Sequence, residues 1–127
     1  GVRWINDSKA TAVSATAAAV RAMEVSFVLI AGGLQKGDDR FTPLAPLLSP
    51  RCRGVVAYGS AGPAIARDLA GTCSVTQVGP FDAAVRAAAQ LAQPGDAVLL
   101  SPGCASFDQF ESAEARGDAF RRLVEAM

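Results

Sequence analysis

Short apolar runs that end abruptly in glycine or small polar residues constrain this chain more than any other feature. Residues 26–31 read Ser-Phe-Val-Leu-Ile-Ala and stop at Gly32-Gly33. A nearly continuous apolar run of that length suits a strand buried on both faces. Residues 96–100 (Asp-Ala-Val-Leu-Leu) repeat the pattern, and residues 54–58 (Gly-Val-Val-Ala-Tyr) give a strand between them. Residues 2–5 form another strand and residues 74–78 a weaker one. The intervals carry helical spacing. A helix is predicted over 10–23, with Val13, Ala17 and Val20 on one face. Thr42-Pro43 starts a short helix through Leu48, and the turn at 59–63 leads into a helix carrying Ile65 and Leu69. Helix 81–92 begins after Pro80 and ends before Pro94-Gly95, and a last helix aligns Phe120, Leu123, Val124 and Met127. This alternation predicts an α/β sandwich: a mostly parallel sheet with helices on both faces. No repeat, low-complexity tract or linker interrupts it, so residues 1–127 read as a single domain.

Composition removes several classes of function. Lys plus Arg and Asp plus Glu both number 12, so the net charge is zero and nucleic acid is not an expected partner. No apolar run approaches membrane-spanning length, and the first residues lack the pattern of a signal peptide. The chain has no histidine, and its three cysteines (Cys52, Cys73 and Cys104) are far apart in sequence. Neither a zinc site nor a Cys–His nucleophile is therefore expected. The cysteines read as reduced cytoplasmic thiols, with Cys52 and Cys73 as small buried residues.

Ligands of parallel sheets collect beyond the carboxyl ends of the strands. Three polar loops fall there, at 6–11, 32–41 and 101–110, and the Tyr58-Gly59-Ser60 turn is a fourth contributor. The first is Asn6-Asp7-Ser8-Lys9-Ala10-Thr11. A strand that delivers these residues to a helix start can build an anion site, since free N–H groups and Lys9 both attract phosphate or carboxylate. Alternatively, Asp7 or Ser8 simply caps the helix, which leaves Lys9 and Thr11 unexplained. The second loop, Gly32-Gly33-Leu34-Gln35-Lys36-Gly37-Asp38-Asp39, supplies bends and one cation. It lacks the spacing and the following Ser or Thr of a Walker A loop, so it reads either as an exposed turn or as a site. The third contains Ser101, Cys104, Ser106, Phe107 and Phe110. Its aromatics can anchor the loop on the core. Alternatively, Ser106 and backbone N–H groups bind a small acid while Phe107 shapes the pocket. Cys104 has no base in this chain to activate it and reads as structural.

Together the loops resemble the C-terminal domain of the Mur ligase family. The matching segments are Trp-Ile-Asn-Asp-Ser-Lys-Ala-Thr at 4–11, Gly-Gly-x-x-Lys-Gly at 32–37 and Leu-Ser-Pro-x-Cys-Ala-Ser-Phe-Asp-Gln-Phe at 100–110. Glu114-x-Arg116-Gly117 with Phe120 continues the likeness to the last helix. The first segment points to the branch that adds D-glutamate to UDP-N-acetylmuramoyl-L-alanine. The resemblance implies a Rossmann-like three-layer fold and a cytoplasmic, ATP-dependent step of peptidoglycan synthesis that proceeds through an acyl phosphate. It implies a protein of three domains, with ATP and Mg2+ held mainly by a central one, so this chain resembles an excised C-terminal domain with no catalytic residue of its own.

Residue by residue, the resemblance assigns Asp7 to the ribose or adenosine side of ATP and Lys9 to its phosphates. It assigns Thr11, Lys36, Ser106 and the Phe107 backbone to D-glutamate. No residue is assigned to a metal. Three positions depart from the family pattern: Ala12 stands where Asn is usual, Ala113 where an aromatic lines the D-glutamate pocket, and Arg40 lengthens the glycine loop. Other readings are a related ligase that extends folate with glutamate or polymerises amino acids, and a nucleotide- or acid-binding module without catalysis.

Overall fold

The computed structural model describes residues 1–37 and 39–127; Asp38 of the glycine loop lies outside the described residues. In chain order the regular elements are β1 (Arg3–Asn6), α1 (Val13–Arg21), β2 (Phe27–Gly32), a 3₁₀ turn (Thr42–Leu44), α2 (Ala45–Leu48), β3 (Cys52–Tyr58), α3 (Gly62–Asp68), β4 (Val75–Gln77), α4 (Phe81–Leu91), β5 (Ala97–Leu100) and α5 (Ala113–Glu125). The five strands form one sheet in the order β1-β5-β2-β3-β4. Every pairing is parallel. The α/β sandwich expected from the apolar runs is the fold observed.

Burial explains why those runs lack alternation. Residues of β2 and β5 are buried throughout, because each strand has neighbours on both edges and helices over both faces. Side chains of successive strand residues point to opposite faces. Leu29 and Ala31 of β2, Val55 and Ala57 of β3 and Leu99 of β5 join one apolar cluster with Val13, Ala17 and Val20 of α1, Leu48 of α2 and Ile65 of α3. Val28, Ile30, Val56, Tyr58, Val98 and Leu100 join the other with Phe81, Ala84, Val85 and Ala88 of α4 and Phe120 of α5. Each fully buried Val, Leu or Ile contributes roughly 1.5–3 kcal/mol. The two clusters are the two interfaces of a three-layer molecule.

Two details differ from the sequence expectation. Helix α1 begins at Val13 rather than Ala10, because Ala10 N–H turns back to the Asp7 carbonyl at 3.0 Å and Ala12 becomes the N-cap. Met127 does not continue the buried face of α5: the helix ends at Glu125 and the side chain is 58% exposed.

Strand order places the loops. The chain runs from β1 over β5's position to β2, continues to β3 and β4, and then returns through α4 to insert β5 between β1 and β2. The loops after β1, β2 and β5 therefore leave three adjacent strands at the same edge of the sheet.

Candidate functional site

The loop after β1 is anchored to the end of β5. Asp7 N–H donates to the Leu100 carbonyl at 2.8 Å, and Ser101 Oγ donates to Asp7 Oδ2 at 2.9 Å. Thr16 of α1 holds the Ser101 carbonyl at 3.0 Å. Neither Asp7 nor Ser8 caps α1, whose N-cap Ala12 has no side-chain hydrogen bond. Ser8 is instead buried, donating from Oγ to the Ala113 carbonyl at 2.7 Å at the start of α5. The capping explanation of this segment therefore fails, because Asp7 and Ser8 are engaged by the loop after β5 and the start of α5 instead. Lys9 is exposed, and no hydrogen bond or ion pair engages it among the described residues. It lines a cleft of about 280 Å³ with Asn6, Asp7, Ser8, Ala113, Glu114, Gly117 and Asp118.

The glycine loop is bound to the loop after β5. Leu34 and Ala105 form an antiparallel bridge, with N–H to carbonyl distances of 2.8 and 3.0 Å. Gly33 makes this approach possible: its φ is +118°, and a Cβ there would lie 2.3 Å from the Ala105 carbonyl oxygen. Beyond the bridge, Lys36 Nζ donates to Thr11 Oγ1 at 3.3 Å. Two residues 25 positions apart in sequence thus meet across the mouth formed by the first two loops.

The loop after β5 divides its side chains between support and exposure. Phe110 packs edge-on against Phe81, with ring centroids 5.1 Å apart, and Phe81 in turn meets Tyr58 at 5.2 Å. Gln109 reinforces this anchor by accepting from Phe81 N–H at 2.9 Å and donating to the Gly79 carbonyl at 3.0 Å. Phe107 is 69% exposed and so does not pack on the core, whereas Ser106 beside it is buried. Asp108 reaches the fourth turn, where its Oδ2 accepts from Ser60 N–H at 3.2 Å. Gly59 permits that contact, since its φ is +71° and a Cβ would fall 2.4 Å from the same oxygen.

The residues singled out from the sequence therefore fall into two groups. Asp7 and Lys9 line the cleft between β1 and the start of α5. Thr11 and Lys36 are joined directly, and Ser106 follows the residue that bridges the Lys36 loop. Ala113 lines the cleft with Asp7 and Lys9 rather than standing with Thr11 and Lys36.

Cys104 meets this mouth through its backbone carbonyl, which accepts from Arg116 Nη1 at 3.1 Å. Burial pushes the Cys104 thiol up to about 12, in keeping with a structural residue. Cys52 Sγ donates to the Gly54 carbonyl at 3.3 Å, and Cys52 and Cys73, though far apart in sequence, pack against the same apolar cluster, where the interaction of the two thiols raises the first and lowers the second. No group of three or more Cys, Asp or Glu side chains is placed to hold a metal among the described residues. No helix there is long and apolar enough to cross a membrane.

Sequence reasoning did not assign a role to Arg116, the largest fully buried side chain. Its Nε donates to Ser8 Oγ at 2.9 Å, Nη2 to the Ser8 carbonyl at 2.7 Å and Nη1 to the Cys104 carbonyl at 3.1 Å. Gly117 beside it lets α5 approach the loop after β1, since a Cβ there would come within 3.3 Å of Ser8 Cβ. A charged residue beside a glycine on the first turns of a helix gives no indication by itself that the charge points inward.

Comparison with known proteins bears on the same residues. Residues 1–104 match the family described as "Mur ligase, glutamate ligase domain". The chain is 49% identical over 124 residues to the UDP-N-acetylmuramoylalanine--D-glutamate ligase of Chlamydia caviae, covering 98% of this chain and 29% of that protein. It is 47% identical over 127 residues to the enzyme of the same name from Myxococcus xanthus, covering 100% and 28%. Against the one from Burkholderia mallei it is 49% identical over 126 residues, covering 98% and 25%. The chain thus spans between a quarter and three tenths of the length of these curated relatives. With the five-stranded parallel sheet and its joined loops, these matches establish that the chain belongs to the Mur ligase family as its glutamate ligase domain.

Proposed function

We propose that this chain is the amino-acid-binding domain of an ATP-dependent ligase that joins D-glutamate to UDP-N-acetylmuramoyl-L-alanine in the cytoplasm. The observation that supports it best is the meeting of Lys36 and Thr11 beside the loop that carries Ser106. A substrate with two carboxylates needs a cation and several neutral donors converging from different directions. The Lys36 ammonium pairs with one carboxylate, while the Thr11 and Ser106 hydroxyls and the Phe107 backbone N–H donate to the substrate's oxygens. The 3.3 Å contact between Lys36 and Thr11 is long enough to yield to a carboxylate oxygen that accepts from both.

ATP, when bound, supplies the phosphoryl group that converts the muramoyl-alanine carboxylate into an acyl phosphate. Asp7, whose carboxylate Ser101 orients, accepts from a ribose hydroxyl, and Lys9 pairs with phosphate oxygens at the edge of the cleft. By the family resemblance, Mg2+ and most of the ATP contacts are assigned to a central domain of the longer ligase. The amine and the acyl phosphate then meet when the two domains close, which orients the reactants and excludes water. The three free cysteines fit a reducing compartment.

The test is ATP-dependent incorporation of D-glutamate by the full-length ligase that carries this domain, with L-glutamate and other amino acids as competitors. Selective formation of the D-glutamyl amide with stoichiometric phosphate release is expected. Preference for another amino acid, or for a folate acceptor, overturns the assignment.

A further inference from the structure

Arg116 is a buried cation with no ion-pair partner among the described residues. No acidic oxygen lies within 4.0 Å of it among the described residues, and three neutral oxygens take its hydrogen bonds instead. Burying an unpaired charge is costly, and an apolar side chain would fill the same volume more cheaply. The planar guanidinium does something that an apolar group cannot: it donates in two directions at once. Nε and Nη2 grip Ser8, between Asp7 and Lys9, while Nη1 grips the Cys104 carbonyl, two residues before Ser106. Gly33 completes the arrangement, since a Cβ there would lie 3.2 Å from Nη1. All three loops of the mouth therefore converge on one side chain.

We infer that Arg116 is a positioning residue for substrate: its guanidinium fixes the loop after β1 against the loop after β5, and so sets the separation between the Thr11–Lys36 pair and Ser106. This inference rests on the D-glutamate reading of that mouth. The nucleotide side has anchors of its own, because Asp7 is held by Leu100 and Ser101 independently of Arg116. The loop after β5 is tied to Leu34 and Ala10, so loss of the Cys104 contact shifts this loop without releasing it. Displacement of Ser106 by a fraction of an ångström is enough to weaken a multi-point carboxylate contact.

The experiment compares Arg116→Lys with the parent in the full-length ligase, with Arg116→Met as a second variant of similar length and no charge. Lysine keeps the charge but cannot donate to Ser8 and Cys104 together with a fork. For Arg116→Lys we expect the KM for D-glutamate to rise on the order of tenfold, with the KM for ATP changed less than about twofold. A purely structural role lowers the active fraction and leaves both KM values at the parent level, and that outcome overturns the inference. Amide hydrogen exchange of the 127-residue chain gives a readout without substrate. Faster exchange at Leu34, Gly103 and Ala105 with unchanged protection at Leu29 and Val56 is expected for both variants. Uniform loss of protection across the sheet overturns it. If the parent ligase does not use D-glutamate, the functional reading fails, and the exchange pattern still decides whether Arg116 sets the loops.

Discussion

Lys36 and Asp96 show how much a single charge can do at opposite ends of the sheet. Lys36 is exposed, and among the described residues its side chain hydrogen-bonds to the Thr11 hydroxyl alone, so its removal is expected to cost the fold little. As the cation of the proposed mouth it pairs with a substrate carboxylate, and a charged hydrogen bond of that kind is worth about 1.5–3 kcal/mol. Lys36→Ala in the full-length ligase is expected to raise the KM for D-glutamate about tenfold to a hundredfold and to leave the KM for ATP nearly unchanged. Steady-state kinetics with each substrate varied in turn checks this. Asp96 is buried at the entrance to β5, where it accepts from Arg53 Nε and from Gln93 N–H at 2.8 Å. The Arg53 guanidinium, and then the Gln93 amide, hold its carboxyl below the ordinary carboxylate range. A carboxyl depressed in the folded state stabilises the fold above its unfolded pKa, near about 3.9, and loses that contribution as pH falls through the folded value. Thermal melts should therefore fall below about pH 4. Asp96→Asn should be less stable than the parent at pH 7 and should show a shallower decline in acid.

At the scale of the element, α1 starts without a side-chain cap, as α3 and α4 also do, whereas Ser112 caps α5. Ala12 occupies the N-cap with φ −132° and ψ 152°, the extended backbone that a capping residue adopts, and its methyl group satisfies no helix N–H. The sequence left two readings of this segment open, an anion site or a cap at Asp7 or Ser8, since those residue types cap well. It could not show that Ser101 and Arg116, 94 and 108 residues away in sequence, had already engaged them. The family's usual Asn at this position is the residue type the geometry favours. Ala12→Asn is expected to stabilise the chain by roughly 0.5–2 kcal/mol, seen as a rise of a few degrees in Tm. An unchanged or lower Tm would show that the α1 start is satisfied by other groups. The strands were far more legible. Residues 27–31 and 97–100 are apolar throughout because both faces are covered, and that pattern survives in the sequence without knowledge of what covers them. Contacts between loops leave no such periodic trace. The Leu34–Ala105 bridge and the Lys36–Thr11 contact follow from strand order, which places β5 between β1 and β2.

The whole molecule has a complete core and an incomplete chemical apparatus, and the two follow from different parts of the sequence. Its core is closed on both faces of the sheet by helices from the same chain, with 30 hydrophobic side chains buried among the described residues, so the chain is expected to fold without another segment. The mouth at the carboxyl edge carries a cation, hydroxyls and a backbone loop, the groups proposed to hold an acid. Phosphoryl transfer needs more: a loop whose backbone N–H groups cradle the phosphates, a lysine on the β/γ-phosphates and a hydroxyl that holds magnesium. The glycine loop has Lys36 followed by Gly37 and lacks the Walker A spacing, and the described residues form no acidic metal site. The 127-residue chain by itself is therefore expected to unfold cooperatively, as a domain with its own core does, and to hydrolyse no ATP above background with Mg2+ and D-glutamate present. Phosphate release measured on rigorously purified chain checks the second part. Magnesium-dependent turnover that co-purifies with the chain and disappears in the Lys36→Ala variant would mean that the glycine loop binds phosphate after all. The assignment of Lys36 to the amino-acid carboxylate would then have to be abandoned. Absence of turnover in the chain, with activity in the full-length ligase, places the phosphoryl chemistry outside this domain and leaves it the task of presenting the amine.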